Sequence, residues 1–267
     1  MRSVLSLRAL PVMLRVGFAE AVAYRAEFLV WILSTTMPLI MLALWSAVAR
    51  DEPMGRFGQA EFTAYFLVTF IVRQLVGSWA SWQLNWEIRQ GTLALRLLRP
   101  VHPMLAFAVE NLGALPLRVV ICVPVVAIAL LAVGSGPLPR SPAAWGLALV
   151  ALAGGWLITF CASFAIGSLA FYFDSSLKVM DVWLTLFLVF SGYIAPVELF
   201  PPAMRVAAEW MPFRYQIGLP VELLTSAHEP AAALALVARQ WAWVGGLGLA
   251  AVLLWRGGLR RFAAYGG

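Results

Sequence analysis

The amino-acid sequence holds apolar runs as long as a lipid bilayer is thick, and nothing else in it limits the fold so strongly. A helix that crosses the hydrocarbon core needs about 20 consecutive apolar residues. Runs suited to that task lie at 28–49, 62–82, 145–173 and 231–255, with shorter apolar cores at 119–133 and 182–199. Of the 267 residues 62% are hydrophobic and only 12% charged, and the mean hydropathy is +0.86. A soluble domain carries about 25% charged residues, so this chain has too little polar surface to cover a water-soluble globule. The expected fold class is an all-α integral membrane protein with six transmembrane helices.

Punctuation and charge organise the rest. Residues 1–27 place Arg8 and Arg15 on one helical face, and a helix lying on the membrane surface or a solvated leader fits them. Spans one and two occupy 28–82, a polar basic segment 83–103, and spans three and four 104–173, with a more polar lead-in at 104–118. Span five and a following outer helix fall within 179–220, span six at 231–255, and a basic tail at 256–267. Gly154-Gly155 offers a bend in span four. The formal net charge of +6 sits at the ends of apolar runs, which favours lipid headgroups over nucleic acid as the partner. With the N-terminus inside, eleven arginine and lysine residues fall on the inner side against six outside, which predicts both termini cytoplasmic.

Three sets of residues interrupt this pattern. The segment Glu87-Ile88-Arg89-Gln90-Gly91-Thr92-Leu93-Ala94-Leu95-Arg96-Leu97-Leu98-Arg99-Pro100 is amphipathic, with Leu93, Leu97 and Leu98 on one stripe and Pro100 and Pro103 as helix stops. It suits either a helix resting on headgroups or one docked in a cytoplasmic partner. In the second set Gly192 and Pro196 loosen span five, Pro201 and Pro202 suit a helical first turn, and Pro212 ends it. Arg205 and Glu209 form an i,i+4 pair there, and an ordinary outer loop is the alternative. The third set is ionisable: Arg73, with Gln74 beside it, sits mid-span, and Glu110 and Arg118 lie in the lead-in to span three. A charge at that depth must face protein or water. Glu110 can pair with Arg73 or Arg118, although eight residues along one helix span about 12 Å, which argues against a direct Glu110–Arg118 bond; these groups serve either a structural ion pair or a substrate contact.

Other chemistry is weakly supported. No G-x-x-x-x-G-K-[ST] phosphate loop occurs. His102 and His228 are expected on opposite sides, so no shared metal or haem site is expected, and no catalytic triad converges on one depth. Cys122 and Cys161 read as small packing residues. A lipid-acting enzyme, for which Asp174 and Asp181 flank Lys178, and a non-transporting assembly factor stand as alternatives.

The sequence resembles the membrane subunits of ABC type-2 transporters, in the small six-span bacterial subgroup that works with a separate ATPase and often a second permease. The resemblance rests on the six spans preceded by an amphipathic helix and on Glu87…Arg89-x-Gly91-x-Leu93…Leu97-Leu98-Arg99-Pro100, similar to the family's coupling helix region. It rests also on Ser191-Gly192-Tyr193…Pro196…Leu199-Phe200-Pro201-Pro202…Trp210-Met211-Pro212-Phe213-Arg214-Tyr215, similar to its broken fifth span and outer re-entrant helix. It implies a permease with no cofactor of its own, driven by two cytoplasmic ATPase subunits that hold ATP and Mg, and paired with an identical or homologous permease in a bacterial cell membrane. It also implies an exporter of a hydrophobic or amphipathic substrate. Glu87, Arg89, Gly91, Leu95, Leu98, Arg99 and Pro100 would face the ATPase. Spans one, two and five would line the path, with Arg73 and Gln74 touching substrate or gating it.

Overall fold

The computed structural model describes residues 2–23, 30, 33–50, 52–133, 141–226 and 228–262. The start of the first expected span, the 134–140 part of the loop before span four and the end of the tail lie outside the described residues. Among the described residues the chain is helical, and its one β-bridge, Met54–Phe57, is isolated.

The helices are α1 (Arg2–Ala23), α2 (Met37–Val48), α3 (Gln59–Val76), α4 (Ala80–Arg89), α5 (Leu93–Leu97) and α6 (Pro103–Gly113). They continue as α7 (Leu115–Val133), α8 (Pro142–Ser168), α9 (Ser176–Phe190), α10 (Pro202–Trp210), α11 (Gly218–Thr225) and α12 (Pro230–Leu259). Four stretches among them are long and apolar enough to cross a membrane: Gln59–Arg89, Pro103–Ile128, Pro142–Phe171 and Pro230–Leu259. Local chemistry sets their starts. Ser141 accepts a hydrogen bond from the Ala144 amide at 3.1 Å, and His102 accepts one from the Met104 amide at 3.2 Å. Each precedes a proline at the first helical position, where the missing N–H costs nothing.

The centre is α8. Its second half, from Ile158 to Ser168, is buried almost all round, because α4, α11 and α12 pack on it together. Gly154 and Gly155 serve close approach rather than a bend: a Cβ on Gly154 would lie 2.6 Å from the Gln240 side chain, and one on Gly155 only 2.4 Å from the Gln216 carbonyl oxygen. α8 runs unbroken through both.

Several expected boundaries move. The helical stretch that includes the expected second span runs from Gln59 to Arg89, with a break at 77–79, so 83–89 is helix rather than loop. The lead-in 104–118 is helical and runs on into the expected third span within the apolar stretch Pro103–Ile128. Pro103 therefore starts a helix and does not end one. The fifth stretch stops at Ser191 instead of 199, and its 15-residue helix α9 is about 22 Å long. Helix α1 packs on α6, where a Cβ on Gly113 would meet the Gly17 Cα at 3.0 Å, while Val12, Val16 and Phe18 remain exposed. Two ends result. Helix α5 and the C-termini of α8 and α12 mark one, and α10, α11 and the N-termini of α8 and α12 mark the other.

Candidate functional site

At the first end the chain turns sharply after α4. Gly91, at φ +71°, takes the left-handed conformation that glycine adopts without steric cost. The turn folds α5 back so that Arg96 reaches Glu87 and Glu110, each at 2.6 Å. Its guanidinium also lies 4.1 Å over the Phe107 ring. Gln83 donates to the other oxygen of Glu110 at 2.9 Å. The Arg96, Glu87 and Glu110 side chains are only 11%, 15% and 16% exposed. Burial pulls the Arg96 pKa down, but the two carboxylates outweigh it and raise it above its ordinary value, so this guanidinium stays charged. The triad ties α4, α5 and α6 into one unit.

This corrects the expected partners of Glu110. It lies two turns into α6, beside α5, whereas Arg118 is two turns further on, about 12 Å along the axis. Leu93 is fully buried, Leu97 is 37% exposed and Leu98 83% exposed, so the expected leucine stripe does not share one environment. A helix of five residues is too short to hold a stripe. What faces out is Leu95, Leu98, Arg99 and Pro100. Arg89 joins α4 to the turn after α8, with its guanidinium 2.9 Å from the Asp174 carboxylate.

Deeper in the helices, the break at 77–79 exposes backbone groups that a bilayer cannot satisfy. Two side chains supply the missing bonds. Arg118, fully buried on α7, donates from one nitrogen to the carbonyl oxygens of Gln74 and Gly77 at 2.8 and 2.9 Å. Asn111 on α6 accepts from the Trp79 amide at 3.2 Å. Gln74 points elsewhere: its amide donates to the Thr35 hydroxyl at 2.9 Å, and it is fully buried. Thr35 in turn accepts at its carbonyl from the Tyr193 hydroxyl at 3.0 Å. Arg73 lies 5.5 Å from the Phe187 ring of α9 and hydrogen-bonds Tyr193. Arg73 and Gln74 thus join the stretch before α2, α3 and the end of α9.

Past α9 the backbone leaves the helix at Ser191. Gly192 adopts φ +83°, and its carbonyl accepts from the buried Tyr65 hydroxyl at 2.8 Å. The Ile194 carbonyl accepts from the Trp45 indole at 2.8 Å. Side chains of α2 and α3 therefore hold the broken segment. Pro196 leads into a 3-10 turn, Val197–Leu199. Pro201 and Pro202 open α10, and Met211 before Pro212 is extended, as those prolines predict. The i,i+4 pair does not form. Glu209 lies 3.5 Å from Arg214, and Arg205 donates to the carbonyl oxygens of Glu198 and Phe200. Arg214 also pairs with the buried Glu222 at 2.8 Å, and Arg56 with Glu198 at 2.6 Å.

The description ABC-2 family transporter protein belongs to a family model that matches residues 35–266, nearly the whole chain. The chain belongs to the ABC-2 transporter family. No curated protein and no solved structure matches it. As an ABC-2 family member it is a transporter membrane component, a family that works with an ABC ATPase. The ABC-2 match begins at Thr35, the residue that links Gln74 to Tyr193, and leaves α1 outside it.

Sequence reading missed several of the residues that build this ABC-2 chain's polar contacts. Arg96 stands in the amphipathic segment with no role of its own, and Thr35, Tyr65, Asn111 and Glu222 carry no expectation. Asn111 and Glu110 together were a usable signal, since two adjacent polar residues in an apolar stretch need partners.

Proposed function

We propose that this chain is the permease subunit of an ATP-driven exporter in a bacterial cell membrane, with six spans and both termini cytoplasmic. Two ATPase subunits holding ATP and Mg would bind the α5 end, and an identical or homologous permease would complete the pore. The observation that carries the reading is the rigid triad of Arg96, Glu87 and Glu110 beneath the exposed Leu95, Leu98, Arg99 and Pro100. A docking element must transmit force, and a helix of five residues does so only when fixed to its neighbours. Glu87 acts within the triad, while Gly91 and Arg89 set the turn and its anchor. Arginines at this end, Arg89, Arg96, Arg99, Arg256, Arg260 and Arg261, support its cytoplasmic assignment. Arg73 and Gln74, at the junction of spans one, two and five, would gate the path. A hydrophobic or amphipathic cargo fits the apolar spans.

The test is co-expression with an ABC ATPase encoded beside this chain. The wild-type pair is expected to co-purify and to hydrolyse ATP faster than the ATPase alone, and Leu98→Asp is expected to abolish both effects. A complex that survives Leu98→Asp and Leu95→Asp together rules the α5 end out as the docking site.

A further inference from the structure

The end opposite α5 contains a cavity of about 410 Å3 between α10, α11 and α12. Glu198, Arg205, Arg214, Glu222, His228 and Arg239 line it, with Glu209 completing three carboxylates against three guanidinia. So dense a set of charges around open space is unusual for a chain that is only 12% charged. No group of three or more His, Cys, Asp or Glu that could hold a metal ion occurs among the described residues.

The charges are not neutralised evenly. Arg214 takes Glu222 at 2.8 Å and Glu209 at 3.5 Å, and Arg56 takes Glu198 at 2.6 Å. Arg205 instead donates to backbone carbonyls, and Arg239 lies 5.9 Å from the Trp210 ring, so the partners of both are uncharged and their positive charge is not cancelled by a carboxylate at ion-pair distance. Glu222 lines the same cavity with a side chain only 3% exposed, yet its Oε1 has no hydrogen-bond partner. The Arg214 Nε and His228 Nε2 also have none. A buried carboxylate oxygen without a donor costs the full desolvation of that atom. It is stabilised when a ligand brings the donor.

We propose that this cavity binds a zwitterion, with its phosphate at Arg205 and Arg239 and its primary ammonium at Glu222 Oε1. A plain anion would meet three carboxylates, and a plain cation three guanidinia, so a ligand carrying both charges fits best. Planar guanidinia match phosphate oxygens two at a time. A primary ammonium brings three N–H donors for an oxygen that accepts, which a quaternary ammonium cannot. The same chemistry occurs on a bilayer phosphatidylethanolamine headgroup and on a free phosphoethanolamine ester. The site stands on the cavity alone and does not rest on the transport reading.

Isothermal titration of the purified full chain with glycerophosphoethanolamine tests it. Saturable binding is expected, with glycerophosphate and ethanolamine each at least about tenfold weaker. Arg239→Ala, on an exposed residue, is expected to weaken it about tenfold while the thermal midpoint holds, and Glu222→Gln to weaken it about tenfold with a lower midpoint, because it also removes the charge paired with Arg214. If Glu222→Gln fails to fold, Arg239→Ala and Arg205→Ala with the ligand series decide. Absence of saturable binding overturns the proposal, as does glycerophosphate binding as tightly as glycerophosphoethanolamine. Nanodiscs separate the sources. Loss of titratable sites in phosphatidylethanolamine discs relative to phosphatidylcholine discs identifies the lipid headgroup as occupant, and equal titration in both identifies the free ester.

Discussion

Arg118, on α7, donates to the carbonyl oxygen of Gly77, the residue just past α3, at 2.9 Å, and that bond closes a helix end inside the region expected to lie in lipid. The same nitrogen holds the Gln74 carbonyl. A broken span is tolerable there only because a neighbouring helix supplies the donor. Arg118→Ala leaves both carbonyls unpaired and is expected to cost at least about 2 kcal/mol. Thermal unfolding in detergent measures it, and Arg118→Lys should recover part of the loss. A variant that melts with the wild type contradicts the bond.

Arg96 supports two carboxylates at once. Removing it strands Glu87 and Glu110 in a largely buried place, and Arg96→Ala is expected to destabilise by about 3 kcal/mol. A cycle with Glu87→Gln and Glu110→Gln should show strong coupling, because with both acids neutralised the same Arg96→Ala change costs less. Additive losses across the cycle would argue against a triad.

Gly192 and Gly55 make a paired test. Both have positive φ, +83° and +62°, but a Cβ on Gly192 lies 2.6 Å from the Tyr65 hydroxyl, whereas one on Gly55 meets nothing within 4 Å. Gly55→Ala should cost only the backbone strain, about 1 kcal/mol. Gly192→Ala should cost clearly more and release the Tyr65 bond. Equal midpoints for the two variants would mean the close approach is not felt.

The Arg56–Glu198 pair gives the α10 end an acid limit. Burial pushes the Glu198 carboxyl up, but the Arg56 hydrogen bond and charge outweigh it and hold it below its ordinary value. A depressed folded pKa stabilises above the unfolded value, near 4.3, and that stability is lost as pH falls through the folded one. Glu198→Gln should therefore lower the midpoint at pH 7 and flatten its decline below about pH 4.5. An unchanged slope in Glu198→Gln contradicts the assignment.

The prolines were legible. Pro201, Pro202 and Pro212 bracketed α10 because proline acts through its own ring and missing N–H, which are local. The ion pairs were not. Glu110 has six arginines within about 40 residues, from Arg73 to Arg140, and only the turn at Gly91 selects Arg96. The end of span two was misplaced for a similar reason. The charged residues Glu87 and Arg89 look like loop residues until their partners on α5 and the turn after α8 are known.

By itself the sequence determined that the chain is helical and lives in a membrane, and which stretches have the length to cross it. Those properties follow from apolar run length and from the cost of unpaired backbone in lipid, which each segment carries alone. Only the tertiary structure decided which polar group satisfies which. Arg118 could not be matched to Gly77, Tyr65 to Gly192, or Arg214 to Glu222 until the helices were placed side by side. In an apolar interior a polar side chain is held by whatever partner lies within about 3 Å, and no periodicity along the chain encodes that neighbour.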